Sequence, residues 1–156
     1  MRSRSAHAGY PLIRHATTLA ELLVVLALVA LLTGLVLPPF KRGFDRLKTR
    51  AAAHEAMSAF FAARAGAISL GRRTAVVLDE NNVRLLVVSG GDTLMMRPVG
   101  TEHGVRMTAT RDSMAFFPDG LGLGGANLSI VFVRGGAVDT VLVSREGRVK
   151  LGARAR

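Results

Sequence analysis

Glu21 is a carboxylate placed where a carboxylate is costly. It precedes 16 uncharged residues, Leu22 to Leu37, and it is the single charge within the 19 residues from Leu19 to Leu37. At about 1.5 Å rise per helical residue, 19 residues cover roughly 28 Å, close to the hydrocarbon thickness of a bilayer. A carboxylate inside such a segment costs on the order of 2.5–3.5 kcal/mol on insertion scales. The chemistry open to Glu21 is therefore ion pairing with an amine, within one chain or between neighbouring chains. The leader ahead of the run, Met1 to Ala16, carries Arg2, Arg4 and Arg14 and no acid. A secretory signal would be cut after the run at a small-residue site. Here the run ends in Leu37-Pro38-Pro39-Phe40, without an A-x-A pattern. A cut ahead of the run would instead leave a free amine on Thr17, four residues before Glu21.

A second set of charges lies at the other end. Arg145, Arg148, Lys150, Arg154 and Arg156 face one acid, Glu146, within the last twelve residues. Such a cluster can contact phosphate with salt-dependent affinity, or it can simply be a solvated, charged terminus. No aromatic residue interleaves with these charges, so stacking on single-stranded bases is not expected.

Other motifs carry less. Gly120-Leu121-Gly122-Leu123-Gly124-Gly125 has the spacing of a dinucleotide fingerprint. That fingerprint needs a strand before it and a helix after it, and a strand follows here, so a flexible loop is expected. The four histidines (His7, His15, His54, His103) lack metal-ligand spacing, with His54 expected in helix packing and His103 in a loop. Cysteine is absent, which removes thiolate nucleophiles, thiolate metal sites and disulfides. No serine, aspartate or glutamate stands near a histidine in relay spacing. The sequence therefore predicts no enzyme, no metal, no cofactor and no small-molecule substrate.

The elements that must carry these residues follow from periodicity. Beyond the run, Phe40, Phe44, Leu47, Ala51, His54, Met57, Phe61, Ala65 and Ile68 recur at threes and fours, a stripe expected to pack inward. Pro38 and Pro39 interrupt the join and predict a kink or local unwinding. One long helix is expected over residues 18–70, ending at Gly71 as a C′ glycine. From Thr74 the pattern turns to short strands. Residues 74–78 and 83–88 flank a hairpin turn at 79–82, and residues 94–97, 105–110 and 114–117 follow. Residues 128–133 and 137–143 flank Arg134-Gly135-Gly136, and a last strand covers 148–151. The fold class is α+β: a helix whose second half packs on a small antiparallel β domain.

Four segments follow: a leader at 1–16, a membrane half-helix at 17–39, an amphipathic half at 40–71, and a β domain with a basic tail at 72–156. The net charge of +10 falls to +7 once the three leader arginines are removed. That balance favours acidic partners such as phospholipid, nucleic acid or an acidic protein surface, or marks an arginine-rich surface facing water. Basic residues flank the run on both sides (Arg14; Lys41 and Arg42), so charge asymmetry does not set the orientation.

Residues 16–26, Ala-Thr-Thr-Leu-Ala-Glu-Leu-Leu-Val-Val-Leu, resemble the class III signal of type IV pilins and type II secretion pseudopilins. The resemblance implies a pilin-like fold, cleavage by a prepilin peptidase between Ala16 and Thr17, methylation of Thr17, and Glu21 as the glutamate that pairs with a neighbouring subunit's amine during filament assembly. The family usually has glycine and phenylalanine where this chain has Ala16 and Thr17. Further along, residues 62–72, Phe116-Phe117-Pro118-Asp119-Gly120 and Val143-Ser144-Arg145-Glu146-Gly147-Arg148-Val149 are similar to the GspH/FimT pseudopilins. This implies a minor pseudopilin of a type II secretion system, single-pass in the inner membrane with its C-terminal domain in the periplasm. Its partners would be the peptidase, other pseudopilins or pilins, and membrane lipid. The alternative is a FimT-like minor type IV pilin that binds DNA through a basic Gly-Arg-x-Arg motif, which here reads Gly147-Arg148-Val149-Lys150. A plain signal-anchored periplasmic domain is a third case, in which Glu21 would be incidental.

Overall fold

The computed structural model describes residues 18–123 and 127–152, with the side chains of residues 36–38 excepted. Helix α1 (Leu19–Leu70) is 52 residues long. Thr18 starts it: its Oγ1 accepts the Glu21 N–H at 3.2 Å and its carbonyl accepts the Leu22 N–H at 3.1 Å. A threonine cap of this kind satisfies donors that the first turn leaves open. Gly71 ends the helix at φ +61°, the left-handed conformation that glycine adopts without a Cβ penalty.

The chain falls into two compact units, Met1–Pro38 and Pro39–Arg156. In the first, the described residues are the N-terminal part of α1, with apolar side chains exposed from Leu19 to Leu35. An 18-residue stretch of it reaches a mean hydropathy of 2.7 with none of it buried, and α1 is long and apolar enough to cross a membrane.

The second unit packs the remainder of α1 on two antiparallel sheets. Strands β1 (Thr74–Asp79), β2 (Arg84–Ser89), β3 (Asp92–Arg97), β4 (Arg106–Ala109), β5 (Ser113–Phe116), β6 (Gly122–Leu123), β7 (Leu128–Arg134), β8 (Ala137–Val143) and β9 (Val149–Leu151) follow α1, with a short helix α2 (Val99–His103) after β3. One sheet has the order β3-β2-β1-β5-β6 and the other β4-β7-β8-β9. The two expected hairpins form, pairing Val77 with Leu86 and Val131 with Thr140. Two elements were not expected. The first is α2, too short to show a helical period. The second is β6, where Gly122 and Leu123 pair with Phe116 and Ala115 in what the sequence suggested was a flexible loop. Residues 124–126 of that glycine run lie outside the described residues.

The inward face of α1 is not the stripe the periodicity suggested. Phe40 is 72 % exposed, Leu47 71 %, Phe61 53 % and Ile68 54 %, and His54 also faces outward. The buried residues are Asp45, Thr49, Ala52, Ala53, Ala56, Ala59, Phe60, Ala63 and Ala67. Ala52 and Phe61 are nine residues apart, 2.5 turns, and so stand on opposite sides of the helix. The reason is steric. The sheets supply Leu85, Met114, Phe116, Leu128, Ile130 and Phe132, all fully buried, and alanine on the helix leaves room for them. The helix is apolar on two faces, and of the expected stripe Met57 still packs against the core.

Candidate functional site

Glu21 occupies the first turn of α1 and is exposed. A carboxylate is favourable there because the helix N-terminus carries partial positive charge. With Thr18 three residues earlier, the pair has the spacing of a capping box, and the half that forms is the Thr18 hydroxyl on the Glu21 N–H. Ala16 and Thr17 lie outside the described residues. Pro38 and Pro39 both fall within α1, and Pro39 is exposed.

At the C-terminal end, Ser144 to Gly147 make a turn closed by a 2.8 Å bond from the Gly147 N–H to the Ser144 carbonyl. The Arg148 N–H donates to Ser144 Oγ at 3.1 Å, and the Arg145 N–H to Asn127 Oδ1 at 3.1 Å. Gly147 has φ +83°, and a Cβ there would stand 2.7 Å from the Phe116 ring. The turn that presents the basic motif is thus pinned to the core by a residue that only glycine suits. Strand alternation turns Val149 toward the core and Lys150 outward. Arg148 and Lys150 line a groove of about 390 Å³ together with Asn127, Leu142, Val143, Ser144 and Glu146. The Arg148 guanidinium is 3.6 Å from the Glu146 carboxylate, with both side chains well exposed, an arrangement of little energetic weight in water. Arg145 is exposed on the turn, and Arg154 and Arg156 lie outside the described residues.

Several polar groups that the sequence did not single out hold the domain together. Arg134 at the end of β7 pairs with Asp45 of α1 at 2.9 Å, and its Nη1 also donates to the His103 carbonyl of α2. The Arg134 guanidinium and Lys48 Nζ lie 5.4 and 5.6 Å from the Phe44 ring centroid, the range of a cation–π contact. The Lys48 ammonium donates to the Glu102 carbonyl at 3.3 Å. Beside this knot, His103 Nε2 stands 3.1 Å from Glu55 Oε1, and ligand atoms of Glu55, Glu102 and His103 all lie within 4.8 Å of one another. Their separation in sequence hides this cluster, since Glu55 belongs to α1 and the other two to α2. In the first hairpin, Asp79 accepts from the Asn82 backbone (3.1 Å), Asn82 Nδ2 (2.9 Å) and Arg84 Nε (2.7 Å). The Asn82 hydrogen bonds, joined by Arg84, lower its pKa to about 2.

The family described as type II transport protein GspH matches residues 52–147. No curated protein matches the sequence. Among solved structures, the type IV minor pilin FimU of Pseudomonas aeruginosa aligns with a TM-score of 0.59 at 16 % identity, covering 70 % of this chain and 91 % of FimU. The minor pseudopilin EpsH from the type II secretion system of Vibrio cholerae aligns with a TM-score of 0.57 at 11 % identity, covering 71 % of this chain and 97 % of EpsH. At these identities the likeness is one of fold: a long N-terminal helix laid on antiparallel sheets. With that fold and a family match over most of the globular unit, the chain belongs to the GspH family of type IV pilin-like proteins.

Proposed function

We propose that the protein is a minor pseudopilin of a type II secretion system. In this reading, prepilin peptidase cuts between Ala16 and Thr17 and Thr17 is methylated. The helix then holds the protein in the inner membrane, with the domain in the periplasm, until it joins a pseudopilus. Glu21 would meet the N-terminal amine of a neighbouring subunit, which removes the cost of an unpaired carboxylate among apolar surroundings. Pro38 and Pro39 would bend the helix where the membrane half meets the amphipathic half.

The outward face of α1 carries this reading. Phe40, Leu47, Phe61 and Ile68 are exposed on a domain whose interior is already filled by other side chains. A row of large apolar groups that the fold itself does not need is what packing against other helices requires. The role is mechanical, so the residues that matter present surfaces and not reacting groups.

Intact mass of the protein recovered from membranes, with and without co-expressed prepilin peptidase, tests the processing. Loss of residues 1–16 with one added methyl group supports the proposal. An uncut chain beside an active peptidase would favour the signal-anchor alternative.

A second reading, a minor type IV pilin that binds DNA, draws on Arg148 and Lys150 lying side by side along one groove. Lysine contacts phosphate as a point charge, without the bidentate fork of arginine. Duplex binding measured across a salt series should weaken steeply with salt. Unchanged affinity in Arg148→Ala/Lys150→Ala would remove this reading.

A further inference from the structure

Glu55, Glu102 and His103 meet where α1 passes the last turn of α2, and the cluster holds polar atoms that the described residues leave unsatisfied. Both ring nitrogens of His103 and Glu55 Oε2 are sealed from solvent and make no hydrogen bond among the described residues. Buried polar atoms in folded proteins are nearly always paired, so three together in one place call for an explanation. The ring is only 12 % exposed. Although His103 Nε2 and Glu55 Oε1 are 3.1 Å apart, the two are not aligned as donor and acceptor. Ligands bonded to a common ion at about 2.0–2.2 Å stand roughly 3.0–3.5 Å apart, with lone pairs directed at the ion instead of at each other.

We propose that these three side chains bind a divalent transition metal of the zinc class. One imidazole nitrogen and two carboxylates form a donor set suited to zinc, whereas magnesium and calcium favour oxygen donors alone. Two carboxylates and a neutral imidazole offset the charge of the ion. Glu102 is exposed, which leaves a route for entry and a position for water.

The backbone that carries the ligands is already fixed. The Gly100 N–H donates to the Val83 carbonyl at 2.8 Å, and Gly104 closes α2 in the left-handed conformation with its N–H on the Gly100 carbonyl. Lys48 holds the Glu102 carbonyl and Arg134 holds the His103 carbonyl. Each cation therefore engages the main chain beside the site and leaves the carboxylates to the ion. Preorganisation of this kind is what a metal site needs from its supporting shell. A bound ion would clamp α2 to α1, and this proposal stands independently of which filament system the protein serves.

The test uses the full-length protein in detergent, made without a histidine tag, stripped with chelator and titrated calorimetrically with zinc chloride. One zinc per chain, with a rise in unfolding midpoint that chelator reverses, is the expected result. His103→Ala and Glu102→Gln should each lose at least ten-fold in affinity. Glu102→Gln changes an exposed side chain, so its fold and melting point without metal should match the parent. His54→Ala, on the exposed face one residue from Glu55, should bind as the parent does, as should a His7→Ala/His15→Ala double variant. No saturable binding, or equal binding by the parent and Glu102→Gln, would leave Glu55 and His103 as an ion pair and overturn the proposal. Millimolar magnesium giving the same thermal shift would overturn the assigned metal class.

Discussion

Thr49 of α1 and Asp139 of β8 meet across the domain interior, with the threonine hydroxyl 3.0 Å from the aspartate Oδ2. Thr49 is fully buried and Asp139 is 5 % exposed. Arg50 Nη1 reaches the other carboxylate oxygen at 3.5 Å. Helix and sheet are therefore registered by a charged hydrogen bond at the same interface that the alanines keep thin. Thr49→Val keeps the volume but removes a donor from a buried carboxylate, which should cost about 1–3 kcal/mol. Chemical denaturation followed by circular dichroism gives the value, and a cost near zero would show that the contact does not stabilise the fold.

The two faces of α1 should respond oppositely to substitution. Ala56 is fully buried against the sheets, so Ala56→Leu should destabilise by about 1–3 kcal/mol through overpacking. Phe60→Ala on the same face should cost about 3–5 kcal/mol. Phe61→Ala, one residue further on, should leave stability within about 0.5 kcal/mol, because that ring is largely in water. Its effect is expected in filament incorporation, read by crosslinking to other subunits.

Gly147 supports the basic turn through both its φ of +83° and its approach to Phe116. Gly147→Ala should cost more than about 1 kcal/mol, and it should displace Arg148 and Lys150 from their groove. Hydrogen exchange at the Arg148 amide, which is bonded to Ser144 Oγ, should speed up in the variant. Unchanged protection would show that the turn tolerates a Cβ.

Asp79 sets an acid-side dependence. Its pKa falls from 3.8 to about 2 in the folded state. A depressed carboxylate stabilises the fold fully above its unfolded value, and that contribution is lost as pH falls from about 3.8 through about 2. Asp79→Asn should remove this part of the pH dependence while leaving the region above pH 5 unaffected by titration at this site. Carboxyl chemical shifts followed through acid titration should place the Asp79 midpoint well below 3.8, and a midpoint at that value would show that the Asn82 and Arg84 contacts do not favour its ionised form.

Much of the architecture was legible from the chain alone. The uncharged run from Leu22 to Leu37, the glycine after Leu70 and the alternating strands are local signals. Each depends on residues within a few positions of one another, so sequence determines them. β7 and β8 were readable because a glycine turn joins two alternating runs directly.

Tertiary structure alone decided which face of α1 is buried, because two opposite faces are apolar and only the bulk of the sheets selects the alanine side. It also decided that the strands divide into two sheets, with β4 crossing to β7 and β5 returning to β1. The meeting of Glu55 with His103, and of Asp45 with Arg134, follows from that wrapping. Residues dozens of positions apart become neighbours only after the helix and both sheets have closed on a shared core, and no local pattern records that distance.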